Sequence, residues 1–294
     1  MVSPSAAARL RTVLAAGSLV VAPGALEPFT ARIIERLGFP AVYLGGNAMG
    51  LHLAAGQPLL TMTEAVESAR RVASVIEVPL IADADAGFGD AAHTARTVRE
   101  FERAGVAAIH IEDQPFPKRA HYHVGKGRLA PVEEVVEKLR VAVAARRDPD
   151  LLVIARSDAL RVTGSLEETA GRCTAYLAAG ADMLMVLDLG LEAAAELRRR
   201  LPGAQLTWIG GVADPGPSLA EIEAAGFALA VFPFNTIAAI TQAVGATWSA
   251  LRDGGRLAQS VELLAAARRE VLELVPLHAY LEIESRTTER DSSR

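Results

Sequence analysis

A (β/α)8 barrel of the TIM type, class α/β, with extra C-terminal helices is the fold this sequence predicts, on three observations. First, a phrase in which a helix ends near a glycine and a short apolar strand follows recurs along the chain, as in Glu102-Arg-Ala-Gly-Val-Ala-Ala-Ile-His-Ile and Leu177-Ala-Ala-Gly-Ala-Asp-Met-Leu-Met-Val. Glycine past the last helical turn supplies a left-handed cap, and uninterrupted apolar strands are those buried on both faces. Second, strands and helices alternate through 294 residues, which implies parallel pairing with right-handed crossovers. Third, no GxGxxG or GxxxxGKS/T follows any strand, which favours the barrel over a doubly wound open sheet.

Taken in order, a first helix containing Arg9 and Arg11 leads into a first strand, Ser18–Ala22. This basic-then-apolar start loosely mimics a signal peptide, but it runs smoothly into the repeat and is read as part of the barrel. The second strand ends in Val42-Tyr-Leu, and a helix over Met62–Ile76 precedes the third strand, Val78–Ala82. Helices over Ala91–Ala104, Val132–Ala145, Leu166–Ala179 and Leu191–Leu201 then separate strands at 106–111, 151–155 and 205–209 and the one that closes Leu177-Ala-Ala-Gly-Ala-Asp-Met-Leu-Met-Val. Glu223-Ala-Ala-Gly-Phe-Ala-Leu-Ala-Val-Phe brings the eighth strand. The expected organisation is a barrel over 1–255, a helical extension over 256–284 stopped near Pro276, and a polar, frayed tail over 285–294. A helix beyond the closed barrel often packs on a neighbouring subunit, so a homo-oligomer, dimer or tetramer, is expected.

Bulk properties narrow the function. Half the residues are hydrophobic (51%), and the net charge of -5 comes with no basic stripe, which argues against nucleic acid as a partner. The single cysteine, Cys173, excludes an internal disulfide framework and leads us to expect a cytoplasmic setting. No apolar run is long enough to span a bilayer, so no membrane partner is expected.

Barrel chemistry sits at the carboxyl ends of the strands. Two acidic segments fall there, Asp83-Ala-Asp-Ala-Gly-Phe-Gly and Glu112-Asp-Gln. So many carboxylates in one place call for a hard divalent cation, and Asp83, Asp85 and Glu112 are the expected metal set. Gly45-Gly46-Asn47 after the second strand lets backbone amides approach a carboxylate, and Arg156 can pair with another. Metal, amides and arginine together describe a pocket for a small di-anion that passes through an enolate. Simpler readings stand beside these: Gly45-Gly46 as turn chemistry, Asp90 and Asp158 as helix caps, Asp113 as a partner of a backbone amide, and His93 and His110 as structural. Between Pro115 and Pro131 a basic stretch with Lys118, Arg119, His121, His123, Lys126 and Arg128 reads as a lid over the mouth or as a solvated loop.

These residues resemble the isocitrate lyase/phosphoenolpyruvate mutase superfamily. The likeness is carried by Val42-Tyr-Leu-Gly-Gly, Asp83-Ala-Asp-Ala-Gly-Phe-Gly, Ile111-Glu-Asp-Gln-Pro-Phe-Pro-Lys-Arg, Ile154-Ala-Arg-Ser-Asp-Ala and the early Val21-Ala-Pro-Gly-Ala, and covers roughly residues 10–250. It implies a barrel with a helix swapped between subunits, and chemistry on 2-oxo or 2-hydroxy acids that needs Mg2+ or, in its place, Mn2+. By position, Asp83 matches the direct metal ligand, and Asp85 and Glu112 match residues holding the metal's waters. Gly45, Gly46 and Asn47 match the amides that take the substrate carboxylate, with Tyr43 and Asn235 in the same substrate-binding set. Lys118 matches the lid lysine, and Arg156 the arginine facing the substrate.

Departures from the pattern shape the expected reaction. Lyases of 2-methylisocitrate or alkylmalates carry a cysteine acid where this chain has Ala120, and a glutamate where it has Leu187. Phosphonopyruvate-forming mutases have asparagine and serine at Ala120 and His121. The lid Lys118-Arg-Ala-His looks more like the oxaloacetate decarboxylase branch, whose chemistry asks less of a proton donor. Against that branch, Phe232-Pro-Phe-Asn-Thr lacks its histidine, and the segment around Ala55-Gly-Gln-Pro-Leu-Leu lacks an aspartate usual after the second strand. The expectation is therefore a Mg2+-dependent decarboxylase of an oxaloacetate-type acid, with Lys118, Arg156 and a lid histidine, His121 or His123, as the catalytic set. Trp208, Phe232 and Phe234 form an expected aromatic rim that would admit a bulkier acid. The alternatives are a 2-methylisocitrate or alkylmalate lyase with a different acid, a phosphonopyruvate mutase or hydrolase, and a barrel that only binds its ligand.

Overall fold

The computed structural model describes residues 4–120, 127–210, 216–275 and 277–287. Eight parallel strands form one ring: β1 (Val20–Pro23), β2 (Val42–Leu44), β3 (Leu80–Asp83), β4 (Ala108–Glu112), β5 (Leu152–Ser157), β6 (Met183–Val186), β7 (Leu206–Ile209) and β8 (Leu229–Phe232). They run in the order β1-β8-β7-β6-β5-β4-β3-β2. Between β1 and β2 the ring closes through a single Gly24–Tyr43 bridge, with Ala25 N–H donating to Tyr43 O at 2.8 Å.

Helices α1 (Ala6–Ala15), α2 (Pro28–Arg36), α3 (Gly46–His52), α4 (Met62–Ala73), α5 (Ala91–Arg103) and α6 (Val132–Ala145) lie in the first half of the chain. After β5 come α7 (Ala159–Thr163), α8 (Leu166–Ala178), α9 (Leu191–Arg200), α10 (Leu219–Ala224) and α11 (Asn235–Gly254). Short polar side chains start many of them: Thr61 with Glu64 and Ser218 with Glu221 make capping boxes, and Asp90 accepts the His93 amide.

Alternation along the strands creates two apolar layers. Leu80, Ala82, Val153 and Ala155 face the surrounding helices. Ile81, Ala108, Leu152, Ile154, Met183, Met185, Leu229 and Val231 fill the barrel, whose lower end is plugged by Leu10 and Leu14 of α1. The inward parity continues to the strand ends, so Asp83 follows Ile81, His110 and Glu112 follow Ala108, and Arg156 follows Ile154. Trp208 and Phe232 have the opposite parity and pack on the helix-facing layer, ring centroids 5.3 Å apart. The expected aromatic rim is thereby corrected: Phe234 alone of the three lines the mouth.

Two compact units divide between Ile237 and Ala238, inside α11, a 20-residue helix with no buried side chain. The second unit continues with α12 (Val261–Leu274) and α13 (Leu277–Thr287), so ordered helix runs past the position where a frayed tail was expected. Pro276 lies outside the described residues. Val244, Trp248, Leu263, Leu264, Tyr280 and Ile283 of these helices are exposed. Among the described residues, no helix is long and apolar enough to cross a membrane.

Candidate active site

Side chains from the ends of β2 to β5 converge at the upper mouth of the barrel. Register puts them side by side: Asp83 pairs with His110, and Glu112 with Arg156, on adjacent strands. Asp83, Asp85, Glu112, Lys118, Arg156 and Asp158 are all buried. Lys118 Nζ lies 2.6 Å from Glu112 Oε1 and 3.5 Å from Asp85 Oδ2, and Arg156 Nη1 lies 3.1 Å from Glu112 Oε2. Four buried carboxyl groups thus meet two buried cations, an excess of two acidic groups. Neither Glu112 oxygen finds a well-directed hydrogen bond among the described residues.

Asp83 is braced by the Asp85 amide at 2.8 Å and the Gly46 amide at 2.9 Å. Close packing explains the glycine: a Cβ on Gly46 would come within 2.8 Å of Asp83 Oδ2 and 2.7 Å of Gln57 Nε2. The Gly46 amide therefore serves Asp83, while Gly45 and Asn47 line the cavity beside it. Asp85 has a left-handed backbone (φ 51°), a conformation aspartate tolerates better than most residues, and its own side chain accepts the Ala86 amide at 2.7 Å.

Electrostatics differ sharply within the cluster. Burial pushes the Asp83 carboxyl up, but His110, Lys118, Arg156 and the Asp85 amide outweigh it and hold it at about 2. Burial dominates at Glu112 and raises it to about 8 despite Lys118 and Arg156. Burial would lower Lys118, yet Glu112 and Asp85 keep it above its ordinary value, so the ammonium stays charged. His110 is driven by burial to about 4 and is neutral at neutral pH, its Nε2 2.8 Å from the Tyr43 hydroxyl.

Two positions read as possible helix caps separate. Asp90 is a cap. Asp158 makes no cap bond; it grips Arg156 from Nε at 2.9 Å and Nη2 at 3.2 Å, and accepts from Gln114. Asp113 is a buried hub at the end of β4. Its carboxylate accepts from Ser157 Oγ at 2.7 Å, Tyr176 Oη at 2.9 Å and the Asp158 amide at 2.8 Å, while its carbonyl accepts the Ala130 amide. Ala130 is thereby tied to the β5 end that carries Arg156.

A cavity of about 300 Å3 opens over this cluster, lined by Tyr43, Gly45, Asn47, Asp83 and Arg156 on its polar side. Leu187, Ile209, Pro233 and Phe234 make the other wall, with Arg161 and Asp188 also lining it. Asn235 is exposed at the start of α11 and does not line this cavity. His121 and His123 lie outside the described residues. Sequence reasoning did not single out Gln57, Gln114 or Arg161. A signal existed for the Arg156–Asp158 pair, since residues two apart on a strand face the same side; Gln57 reaches Asp83 from a different element and leaves no local trace.

The fit to a divalent cation rests on the donor set. Carboxylate oxygens suit Mg2+, and a divalent ion would offset the two carboxyl groups that exceed the cations once all four are ionised. Among the described residues no three His, Cys, Asp or Glu side chains converge as a direct cage.

Fold and site together define a barrel enzyme of carbon–carbon lyase type. The family model for phosphoenolpyruvate phosphomutase matches residues 10–252, and the chain belongs to this phosphoenolpyruvate mutase/isocitrate lyase superfamily. 2,3-Dimethylmalate lyase of Eubacterium barkeri is 42% identical over 253 residues, 84% of this chain and 86% of that one. Oxaloacetate decarboxylase of a Marinomonas species is 41% identical over 181 residues, 61% of this chain and 62% of that one. The solved structure of a phosphonopyruvate hydrolase with oxalate and Mg2+ superposes with a TM-score of 0.85 at 29% identity, covering 97% of this chain and 99% of that one.

Proposed function

We propose that this lyase cleaves a carbon–carbon bond of a small 2-oxo or 2-hydroxy carboxylate through an enolate, and that decarboxylation of an oxaloacetate-type acid is the reaction its site serves best. The supporting observation is a buried cluster with two more carboxyl groups than cations beside a cavity lined by Gly45 and Asn47, with no thiol among the residues that line it. Cys173 is buried on α8, and burial pushes its thiol up to about 12. Ala120 holds no acid at all.

Asp83, Asp85 and Glu112 would hold Mg2+ or Mn2+, an ion that supplies Lewis-acid polarisation of the substrate oxygens. The amides at Gly45 and Asn47 orient the carboxylate next to the reacting carbon. Arg156, locked by Asp158, offsets charge that grows on the enolate oxygen, and Lys118 keeps Asp85 and Glu112 compensated. When the bond to the leaving carboxylate breaks, its electron pair stays on carbon as the enolate and CO2 departs without a proton. The enolate carbon then takes a proton, which we assign to His121 or His123 of the lid.

A second reading, cleavage of an alkyl-branched 2-hydroxy diacid, is favoured by the apolar wall of Leu187, Ile209, Pro233 and Phe234. The likeness to 2,3-dimethylmalate lyase supports it too. We also infer that a second copy of the chain covers the exposed apolar side chains of α11 to α13, since such contiguous surface marks interfaces. A monomer in sedimentation analysis would overturn that inference.

The deciding assay follows pyruvate release with Mg2+ from oxaloacetate, 2-methylisocitrate, 2,3-dimethylmalate and phosphonopyruvate, with Asp83→Ala as control. Release from oxaloacetate alone, above the metal-only background and lost in the control, supports decarboxylation. Release from a hydroxy diacid instead supports the second reading, and silence across the panel overturns both.

A further inference from the structure

The mouth holds two arginines presented in the same way. Arg156 is gripped through Nε and Nη2 by Asp158, and Arg161, five residues on, is gripped through Nε and Nη2 by Asp188 at 2.6 Å each. The difference is depth: the Arg156 side chain is 5% exposed and that of Arg161 34%. Asp188 achieves its grip from a left-handed backbone, φ 60°, a strained state for a residue other than glycine. Both members of the outer pair line the cavity. They follow β5 and β6, whereas the Gly45–Asn47 amides follow β2, so the pair and the amides belong to different sectors of the mouth. Leu187, next to Asp188, adds no charge to the wall between them.

A guanidinium fixed along one edge is held in a set orientation and loses less entropy when it meets a planar anion. We propose that Arg161, positioned by Asp188, is the specificity-determining residue of the outer mouth and reads the distal carboxylate of a dicarboxylate whose other end lies against the Gly45–Asn47 amides. This rests on the cavity being the substrate site proposed above. Depth divides the work: Arg156 faces the oxygen that becomes the enolate, and Arg161 tests whether the far end, the carboxylate lost as CO2 in the decarboxylation proposed above, carries charge. A methyl group in place of that far carboxylate leaves Arg161 unanswered.

Calorimetry with Mg2+ and three non-reacting probes tests this on the intact protein. Oxalate spans only the inner end, while malate and 2-hydroxybutyrate differ only by a carboxylate against a methyl group. The expected result is malate bound at least about tenfold more tightly than 2-hydroxybutyrate by the wild type, the scale of one charge-assisted contact. In Arg161→Met that ratio should fall to near one while oxalate binds within about twofold of wild type; Asp188→Asn should fall between, and Arg161→Lys should recover part of the preference. An unchanged malate preference in Arg161→Met with intact oxalate binding would overturn the role of Arg161 alone. Failure of wild type to bind oxalate would instead remove the reading of the cavity as the substrate site, and this proposal with it.

Discussion

Arginines and aspartates cluster at both ends of this barrel, with opposite outcomes. At the lower end, Asp182 accepts from Arg11 and Arg146 at 2.8 Å each and from the Val153 amide at 2.9 Å. With Asp150 3.6 Å from Arg11 Nε, two carboxylates meet two arginines there, and solvent reaches the group. At the upper end, six buried groups are crowded together, four carboxyl groups against two cations. Balanced, half-exposed ion pairs staple α1 and the β5–β6 region; an unbalanced, dry cluster is costly to keep and is retained where it binds something. Residue type alone does not tell the two apart, whereas burial and balance do.

The sharpest way to break this comparison is to remove one carboxylate from each end. Asp83→Ala should lower kcat/KM by at least about a thousandfold and abolish Mg2+ binding in calorimetry. Chelation by EDTA should give the same loss in the wild type, reversed by added Mg2+. Full turnover in Asp83→Ala would mean that the upper cluster is only structural.

Asp113→Ala tests whether the upper cluster depends on its hub. Three buried hydrogen bonds to that carboxylate would go, and urea unfolding should show a loss of about 3 kcal/mol. Turnover should fall with it, because the Asp158 and Ala130 amides both bond to Asp113. At the lower end, Asp182→Asn should cost only about 1 kcal/mol, given solvent screening around Arg11, and leave kcat as it was.

Cys173 gives the smallest effect. Its thiol is held protonated to about 12 by burial and by Asp113, against 9.0 ordinarily. Thiol reagents should label it at pH 8 only on unfolding, and Cys173→Ala should leave turnover unaltered. Because the folded state keeps this proton where the unfolded chain loses it, its contribution to stability is whole below pH 9 and declines as pH rises from about 9 towards 12.

Much of this architecture was legible because period and punctuation agree. The helix over Val132–Ala145 and the strand ends carrying Asp83, Glu112 and Arg156 were readable from apolar runs and their carboxylate endings. Strand parity, followed from Ile81, Ala108 and Ile154, also dictates which of these side chains face inward. Illegible were the relations set by distant segments: Gln57 against Asp83, Arg161 against Asp188, and Tyr176 against Asp113. Trp208 and Phe232 were misread because aromatic character near a strand end outweighed parity. Asp158 resembled a cap because short helices and arginine clamps use the same residue.

The single Gly24–Tyr43 bridge between β1 and β2 gives the ring a seam. Elsewhere neighbouring strands share ladders of two to five paired residues, so breathing of the barrel will start at that seam, and hydrogen exchange there should outpace the rest of the sheet. The seam borders the strand that carries Tyr43 and the Gly45–Asn47 amides, and lies away from the β4–β5 pair that carries Glu112 and Arg156. The mouth is therefore more elastic on one flank than on the other, and the Gly46 amide that braces Asp83 is the link through which movement at the seam would reach the acidic cluster.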